Sequence, residues 1–195
     1  MSTHSVGARE QREVAEQRQE LPRVPVSNDS QRDVRPGEAD AQQVAPIPEH
    51  LHTVTPRLVV SGAAEAIEFY GRAFGAEEIG ERFTEPGGRV IHAELRLGDS
   101  VVMLTDEEGD AAPARAPRPQ DGAVSVILAT YWKDVDAAWE RAIAAGAEVI
   151  HPLADHFYGE RGGRLRDPYG QQWMLSQRIE DLSHEQIAER AARLG

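Results

Sequence analysis

The chain has 195 residues and a formal net charge of −12, because 33 aspartates and glutamates outnumber 21 lysines and arginines. Such a surface repels phosphate, so the composition argues against nucleic-acid and anionic-membrane partners. The absence of cysteine excludes disulfides, thiolate nucleophiles and cysteine-ligated zinc. Neither a secretory signal nor an apolar stretch of the ~20 residues that span a bilayer is visible, and we therefore expect a cytoplasmic protein.

Residues 1–50 are predicted to be a disordered N-terminal tail. Gln, Arg, Glu, Ser, Asp and Pro dominate this segment, and the first aromatic residue of the chain is Phe69. So little apolar surface cannot offset the entropy that is lost when the chain becomes ordered. We interpret the tail as a solubilising extension; a docking segment for a partner is the alternative.

The residues that follow predict a strand and then a helix. Arg57–Val60 is a short β-branched run, which is typical of a strand. Apolar side chains then recur at near-helical spacing from Ala64 to Phe74, and Gly75 is suited to end this helix as its C-cap.

Three more strands are predicted to complete the first half. One covers residues 77–83 and is followed by a turn at 85–88. Residues 90–97 alternate with a period of two, and a hairpin at 98–99 leads into a strand at 100–104.

The proline-containing segment 107–122 is predicted to be a linker to a second half. That half opens with a strand at 124–128. Asp134 is a suitable N-cap for a helix that ends at Gly146, and another strand begins at Glu148.

The remainder of the second half predicts a loop and strand over 156–165, a turn at 167–170 and a last strand at 172–176. Ser183, with a glutamine three residues later, forms a capping-box pattern. We therefore predict a C-terminal helix within 181–195.

Two short sequences recur at a constant offset. Gly75-Ala76-Glu77 returns as Gly146-Ala147-Glu148, and Met103-Leu104 returns as Met174-Leu175, both 71 residues later. A repeat that carries the same elements in the same order predicts an α+β fold of two tandem βαβββ modules. The predicted modules are residues 53–106 and residues 123–180.

Six motifs and a tryptophan occur in a defined order. They are Ala66-Ile67-Glu68-Phe69-Tyr70, Ala73-Phe74-Gly75-Ala76, His92-Ala93-Glu94-Leu95, Gly98-Asp99-Ser100-Val101-Val102-Met103-Leu104, Tyr158-Gly159-Glu160-Arg161, Asp167-Pro168-Tyr169-Gly170 and Trp173. Together they resemble the vicinal oxygen chelate superfamily, which includes glyoxalase I, extradiol dioxygenases and bleomycin-resistance proteins. The similarity is closest to its PhnB-like branch and covers residues 53–178.

The resemblance implies that each module folds its strands into a cup and that paired cups surround a ligand cavity, often across the subunits of a homodimer. Metal-dependent members carry His or Glu near the start of the first strand and the end of the fourth strand of each module. In this chain the fourth-strand positions are Met103 and Met174. The first-strand positions fall near Thr55 and near Ser125 or Val126. Because these residues are poor ligands for hard divalent ions, we expect no cofactor and allow a divalent metal only at a non-standard site.

His92 and Glu94 are the candidate catalytic residues. They alternate on one predicted strand, so their side chains share a face. This arrangement suits an acid–base pair, or a displaced metal site that recruits a third ligand such as His156. The alternative is a structural pair joined by a hydrogen bond.

The candidate ligand-binding residues are Met103, Trp132, His156, Tyr158, Arg161, Trp173 and Met174. Trp173 and Met174 are adjacent in a strand, so one faces the cavity while the other packs under the helices. His156, Tyr158 and Arg161 belong to a polar loop, where ligand specificity often resides. In the alternative interpretation, Arg161 pairs with Glu160 or Asp155.

These observations leave two main functional hypotheses. In the first, a metal-free cup binds a small, planar or aromatic molecule in a sequestration or resistance role, as the resemblance to bleomycin-resistance proteins implies. In the second, the protein is a lyase, isomerase or dioxygenase-like enzyme that uses His92 and Glu94 as acid–base groups or atypical metal ligands. A regulatory role of the N-terminal tail is a third alternative.

Overall fold

The computed structural model describes residues 44–109, 112–118 and 122–194. Two βαβββ modules follow one another in these ranges and belong to one unit, Ala45–Gly195. The predicted α+β fold of tandem modules, with a helix at the C-terminal end, is confirmed. The predicted tail lies outside the described residues up to position 43, and residues 44–50 contain no helix or strand.

Module one is one mixed sheet covered on one face by a helix. Its elements are β1 (Arg57–Val60), α1 (Ala63–Phe74), β2 (Glu77–Glu78), β3 (Phe83–Thr84), β4 (Val90–Leu97) and β5 (Ser100–Asp106). The strand order is β1-β5-β4-β2, with β3 also paired to β4. Strands β1 and β5 run parallel, while β4 is antiparallel to its neighbours.

Module two repeats this plan with strand order β6-β9-β8-β7. Its elements are β6 (Ile127–Tyr131), α2 (Val135–Ala145), β7 (Glu148–Asp155), β8 (Glu160–Arg166) and β9 (Gln172–Arg178). Strands β6 and β9 are parallel, as β1 and β5 are in module one. The C-terminal helix α3 (His184–Ala191) follows.

Two strand predictions differ from the structure. The strand predicted at 77–83 is two short strands, because Gly80 adopts a positive φ of 69° between them. The strand predicted at 124–128 starts at Ile127 and extends to Tyr131, where it pairs with Ser176. A β-branched run indicates strand propensity, but only the partner strand determines where pairing begins.

The helix ends follow the sequence pattern. Gly75 and Gly146 both adopt the left-handed conformation as C-caps, and the Asp134 side chain accepts a hydrogen bond from the Ala137 amide. The capping box of the C-terminal helix is also present: Gln186 N–H donates to the Ser183 hydroxyl, and Ser183 N–H donates to the Gln186 side chain.

The N-terminus of α1 depends on a distant residue instead. Its N-cap, Gly62, has no side chain, and the carboxylate of Asp106 at the end of β5 accepts hydrogen bonds from the amides of Gly62 and Ala63 at 2.9 and 2.7 Å. In module two, Gln177 lies 71 residues after Asp106 and accepts from the Val135 amide at 3.1 Å. The repeat therefore conserves a link from the last strand to the helix start within each module.

The two modules share one hydrophobic core. Aromatic residues of α1 reach across to module two, where Phe74 and Tyr70 contact the Trp173 ring at centroid distances of 4.7 and 5.4 Å. Helix α2 contributes the small buried residues Ala138 and Ala142, whose spacing places them on one helix face. Because both helices pack into this core, each sheet has one face turned toward the helices and one face free of them.

The described part of the predicted linker is anchored to the modules. The Glu107 carboxylate accepts two hydrogen bonds of 3.0 Å from the Arg118 guanidinium. Pro117 lies against Gly170, which has a φ of 86°; a Cβ added there would lie 2.7 Å from the Pro117 carbonyl oxygen. The linker therefore contacts the turn that precedes the last strand of module two.

Candidate functional site

The helix-free faces of the two sheets are the candidate binding surfaces. We call them cup one, formed by Arg57, His92, Glu94 and Met103, and cup two, formed by His151, His156, Tyr158, Gly162, Arg164, Met174 and Ser176. For the strand residues the assignment follows from alternation, since the intervening residues Leu104, Leu165 and Leu175 are buried in the shared core. His156 and Tyr158, between β7 and β8, line the same cavity as the strand residues of cup two.

Cup two contains a cavity of about 150 Å3. Three strands place one side chain each in a row across its floor: Arg164 on β8 pairs with His151 on β7 and with Met174 on β9. A volume of this size suits a single-ring ligand and lies below the range typical of drug-sized molecules.

Two stacked rings form one wall of this cavity. The His156 and Tyr158 rings are nearly parallel, with an interplanar angle of 3° and centroids 5.0 Å apart. His156 is fixed further by a 3.1 Å hydrogen bond from Nε2 to the carbonyl oxygen of Gly162. Burial, with a smaller contribution from the Glu160 carboxylate, raises the pKa of Tyr158, so its hydroxyl stays protonated at neutral pH.

Two adjacent glycines give β8 its shape at the cavity. Gly162 lies against the Ser176 hydroxyl on the cup side. On the opposite face, a Cβ at Gly163 would lie 2.6 Å from the Trp139 ring, which packs there instead. The glycine pair therefore allows the close approach of Trp139 while leaving the cup side open.

Arg164 is one of the cup-two residues that the sequence interpretation missed, together with His151, Gly162 and Ser176. Its Nε–H is buried and has no hydrogen-bond partner, and no ion pair joins its guanidinium to any described carboxylate. The cavity lining, as described, contains no aspartate or glutamate. Strand alternation counted from the buried Leu165 was the signal that could have placed Arg164 in the cup.

Cup one holds a hydrogen-bonded cluster of two histidines and a carboxylate. Nε2 of His50 lies 2.8 Å from one carboxylate oxygen of Glu94, and Nε2 of His92 lies 3.3 Å from the other. His50 comes from the segment before β1 and was not predicted. The candidate catalytic pair therefore exists as a contact, and Glu94 has a second histidine partner.

The family's metal positions do not fit a hard divalent ion in this chain. Met103 lies opposite Glu94 and Met174 lies opposite Arg164, so each cup presents a thioether at the fourth-strand position. Thioethers select soft ions such as copper(I), whereas carboxylate, imidazole and carbonyl groups hold hard ones. Within the described ranges, no group of three or more His, Asp or Glu side chains is arranged to hold a metal ion.

Trp173 and Trp132 lie on the helix side of their sheet. Trp173 is 2% exposed, and its Nε1–H donates a 2.8 Å hydrogen bond to the Asp167 carboxylate. Trp132 contacts Phe74 and donates through its indole N–H to the Thr130 hydroxyl. Of the two alternatives for the neighbours on β9, Met174 faces the cup and Trp173 packs under the helices.

Arg161 also lies on the helix side, away from the cavity. Its guanidinium makes two hydrogen bonds to Asp136 on α2, of 2.9 and 2.7 Å, and one of 2.9 Å to Asp155. The alternative interpretation, in which Arg161 pairs with Glu160 or Asp155, matches the bond to Asp155, whereas Asp136 was not predicted. Of the predicted ligand-binding residues, His156, Tyr158 and Met174 come together at one cavity, and Met103 lies in cup one.

A larger cleft of about 500 Å3 borders the free edge of β1. It is lined by residues 56–59, 115–117 and 123–126, together with Leu128 and Gln171. None of the predicted ligand-binding residues lines it. We favour cup two as the site, because its lining combines aromatic surface with Arg164, which pairs with no described carboxylate.

Comparison with known proteins agrees with this architecture. The chain belongs to the Glyoxalase/Bleomycin resistance protein/Dioxygenase superfamily, whose family model matches residues 50–175. The predicted family is therefore confirmed. No helix in the described residues has the length and apolar character needed to cross a membrane.

Relatives and solved structures match about two thirds of this chain. An uncharacterized protein of Mycobacterium tuberculosis is 38% identical over 135 residues, which cover 69% of this chain and 79% of that protein. The crystal structure of TioX from a Micromonospora species matches with a TM-score of 0.52 at 25% identity, covering 65% of this chain and 98% of TioX. A PhnB protein from Bacillus cereus gives a TM-score of 0.48 at 25% identity, covering 65% of this chain and 99% of that protein.

Proposed function

We propose that this protein binds a small planar or aromatic molecule in cup two without a metal ion, in a sequestration or resistance role. The observation that carries the proposal is the cavity of about 150 Å3 with stacked His156 and Tyr158 on its wall and Met174 on its floor. Aromatic and thioether surfaces favour contact with a flat ring. The bleomycin-resistance proteins in the family name support a binding role.

Sequestration requires affinity alone, and the cup provides features suited to it. The rings of His156 and Tyr158 are held before a ligand arrives, since His156 is tied to the Gly162 carbonyl. A wall that is already ordered loses little entropy on binding, which improves affinity. Ser176 and Arg164 supply the polar contacts that orient a ligand.

The proposal is tested by adding single-ring aromatic probes, benzoate and benzamide, to isotope-labelled, chelator-treated protein. We expect saturable amide shifts at Gly162 and Gly163, and none at Gly87 or Gly88 in the turn of module one. Replacing the wall ring by Tyr158→Leu should weaken binding by about two- to tenfold, since a stacked aromatic pair is worth about 0.5–1.5 kcal/mol beyond its buried area.

Phe83→Leu is the matched control, because Phe83 is an exposed aromatic side chain of module one that contacts His92 and not the cavity. It should leave probe binding unchanged. Shifts that map elsewhere, or binding that requires added metal, would overturn the proposed metal-free site.

We also propose that the protein is a homodimer. Each cup is open on one side, and exposed apolar or aromatic side chains lie on or just before β6, the edge strand of module two, including Tyr131 at 65% and Val126 at 63% exposure. Pairing of cups across subunits would cover such surfaces. Sedimentation equilibrium should give twice the mass of the chain, and a monomer at all accessible concentrations would contradict this proposal.

The cluster in cup one favours a second candidate, a lyase, isomerase or dioxygenase-like superfamily enzyme with His92 and Glu94 as acid–base groups or atypical metal ligands. The supporting observation is that Glu94 bridges His92 and His50, so a proton could pass between groups already in contact. Metal analysis of the purified protein distinguishes the candidates. Stoichiometric metal that is lost in His92→Ala would favour the enzyme and contradict the metal-free site.

A further inference from the structure

We propose that cup two selects an aromatic carboxylate, with Arg164 as the counter-charge that binds the carboxylate group. This inference rests on the proposed binding function and specifies the chemical class of its ligand. Arg164 lies in a cavity next to aromatic surface and has no hydrogen-bond or ion-pair partner among the described residues.

Arg164 differs from the arginines on either side of it in β8. Arg161 is bound by Asp136 and Asp155, and Arg166 is bound by Glu148. Arg164 has a buried Nε–H without a partner. Arg89 also has a buried N–H without a partner, but its guanidinium pairs with Glu85 through its other nitrogens.

The buried Nε–H of Arg164 has an energetic cost. A buried donor that lacks a hydrogen bond is costly, and such groups in folded proteins are usually satisfied by protein, water or a ligand. A guanidinium has five N–H donors in a fixed plane and binds carboxylates in a bidentate manner. The N–H groups of the Arg164 guanidinium are therefore suited to bind a planar oxyanion such as a carboxylate.

The charge of cup two differs from that of the chain as a whole. The chain has a formal net charge of −12. The described lining of cup two contains no carboxylate, and the formal charge of this lining comes from Arg164. The nearby carboxylate of Glu160 accepts the hydroxyl hydrogen of Tyr131 at 2.8 Å. Arg164 therefore makes the lining itself positive, which would favour anions over neutral molecules, while the Glu160 carboxylate acts on Tyr158 from outside the lining.

The internal repeat places different charges at equivalent positions of the two cups. Glu94 pairs with Met103 across β4 and β5, and Arg164 pairs with Met174 across β8 and β9. The two methionines are equivalent in the repeat, so a carboxylate in cup one and a guanidinium in cup two occupy matching positions. An arginine opposite this methionine is therefore a feature of the second module and not of the first.

The shape of cup two favours a flat ligand. His156 and Tyr158 stack beside Arg164, and the Ser176 hydroxyl lines the same cavity. A ring that stacks on this wall would carry its carboxylate toward the guanidinium, with the serine hydroxyl as an additional donor. Rigid rings lose little conformational entropy on binding, so a benzoate-like molecule suits the site.

The test compares benzoate with benzamide, which has nearly the same shape but no charge, using the shifts of Gly162 and Gly163 to measure affinity. At neutral pH we expect benzoate to bind roughly tenfold more tightly than benzamide, as a charge-assisted hydrogen bond contributes more than a neutral one. Arg164→Met should abolish the preference, and Arg164→Lys should retain part of it. High salt should weaken the binding of benzoate more than the binding of benzamide.

Arg166→Met is the matched control. It removes one positive charge from the same strand, but its guanidinium is already paired with Glu148. Preference for benzoate should therefore survive in this variant. Unchanged dispersion of amide signals in Arg164→Met shows that a loss of preference does not arise from unfolding.

The outcomes separate this inference from the proposed function. Equal binding of both probes at cup two would overturn the carboxylate preference and leave the binding function supported. A preference that persists in Arg164→Met, or disappears equally in Arg166→Met, would also overturn it. If neither probe shifts the cup-two glycines, the proposed function and this inference both fail.

Discussion

The hydroxyl of Tyr70 donates a 2.8 Å hydrogen bond to Oδ2 of Asp167, which joins helix α1 of module one to the turn before the last strand of module two. The same oxygen accepts from the Trp173 indole, and Oδ1 accepts from the amides of Tyr169 and Gln171 at 2.9 Å. Asp167 therefore connects the two halves of the repeat within their shared core, because its hydrogen-bond donors come from both modules.

Tyr70→Phe should destabilise the protein by about 1–2 kcal/mol, because it removes one donor from a buried carboxylate while leaving the ring in place. Urea unfolding followed by tryptophan fluorescence measures the change. Tyr131→Phe is the control, since its hydroxyl bonds Glu160 at the exposed rim, and it should change stability by less than about 0.5 kcal/mol. A smaller effect for Tyr70 than for Tyr131 would contradict the proposed role of this contact.

We also expect Tyr70 to make the free energy of unfolding fall at alkaline pH. Burial, reinforced by the Asp167 carboxylate, raises the pKa of Tyr70 well above its ordinary value. Above pH ~10 the unfolded chain releases this proton while the folded chain retains it, so the free energy of unfolding falls as pH rises, by up to about 1.4 kcal/mol per pH unit. Tyr70→Phe should reduce this slope, and equal slopes for the two proteins would refute the assignment.

Asp106 is predicted to be essential to the stability of module one. Besides the two amides at the start of α1, its carboxylate accepts a 2.8 Å hydrogen bond from the Val90 amide, which ties in the start of β4. Asp106→Ala should cost about 2 kcal/mol or more, because it leaves three amides unbonded and removes a negative charge from a helix N-terminus. Asp99→Ala, in an exposed hairpin, is the control and should be nearly neutral in urea unfolding.

Gly163→Ala should destabilise module two by about 2–3 kcal/mol. The added methyl group would lie 2.6 Å from the Trp139 ring and 2.9 Å from the His151 carbonyl oxygen, and both neighbours belong to packed elements. Gly87→Ala is the matched control, because no atom lies within 4 Å of its added methyl group. Thermal unfolding should separate the two variants; comparable midpoints would show that Trp139 can move aside.

Much of the fold could be predicted from local sequence. Gly75 and Gly146 ended their helices as expected, and Ser183 with Gln186 marked the start of the last helix. These signals are readable because caps and turns depend on residues within a few positions of each other. The module repeat was readable for the same reason, since each copy contains its own complete set of local signals.

The candidate site was predicted only in part. His156, Tyr158 and Met174 meet at cup two, and His92 contacts Glu94 in cup one. Arg161 was expected at the site, but the guanidinium in the cavity belongs to Arg164, three residues later in the same strand. An odd separation in a strand reverses the face, so a correct list of polar residues still requires the register.

The sequence by itself determined the βαβββ plan, the helix ends and the thioethers at the positions where metal-dependent relatives carry chelating side chains. Only the tertiary structure decided which face each strand residue occupies, that Asp106 rather than Gly62 caps α1, and that His50 reaches Glu94. The physical reason is that these outcomes depend on strand pairing and on contacts between residues far apart in the chain. Local propensity does not contain that information, because the partners become neighbours only when the sheets and helices pack.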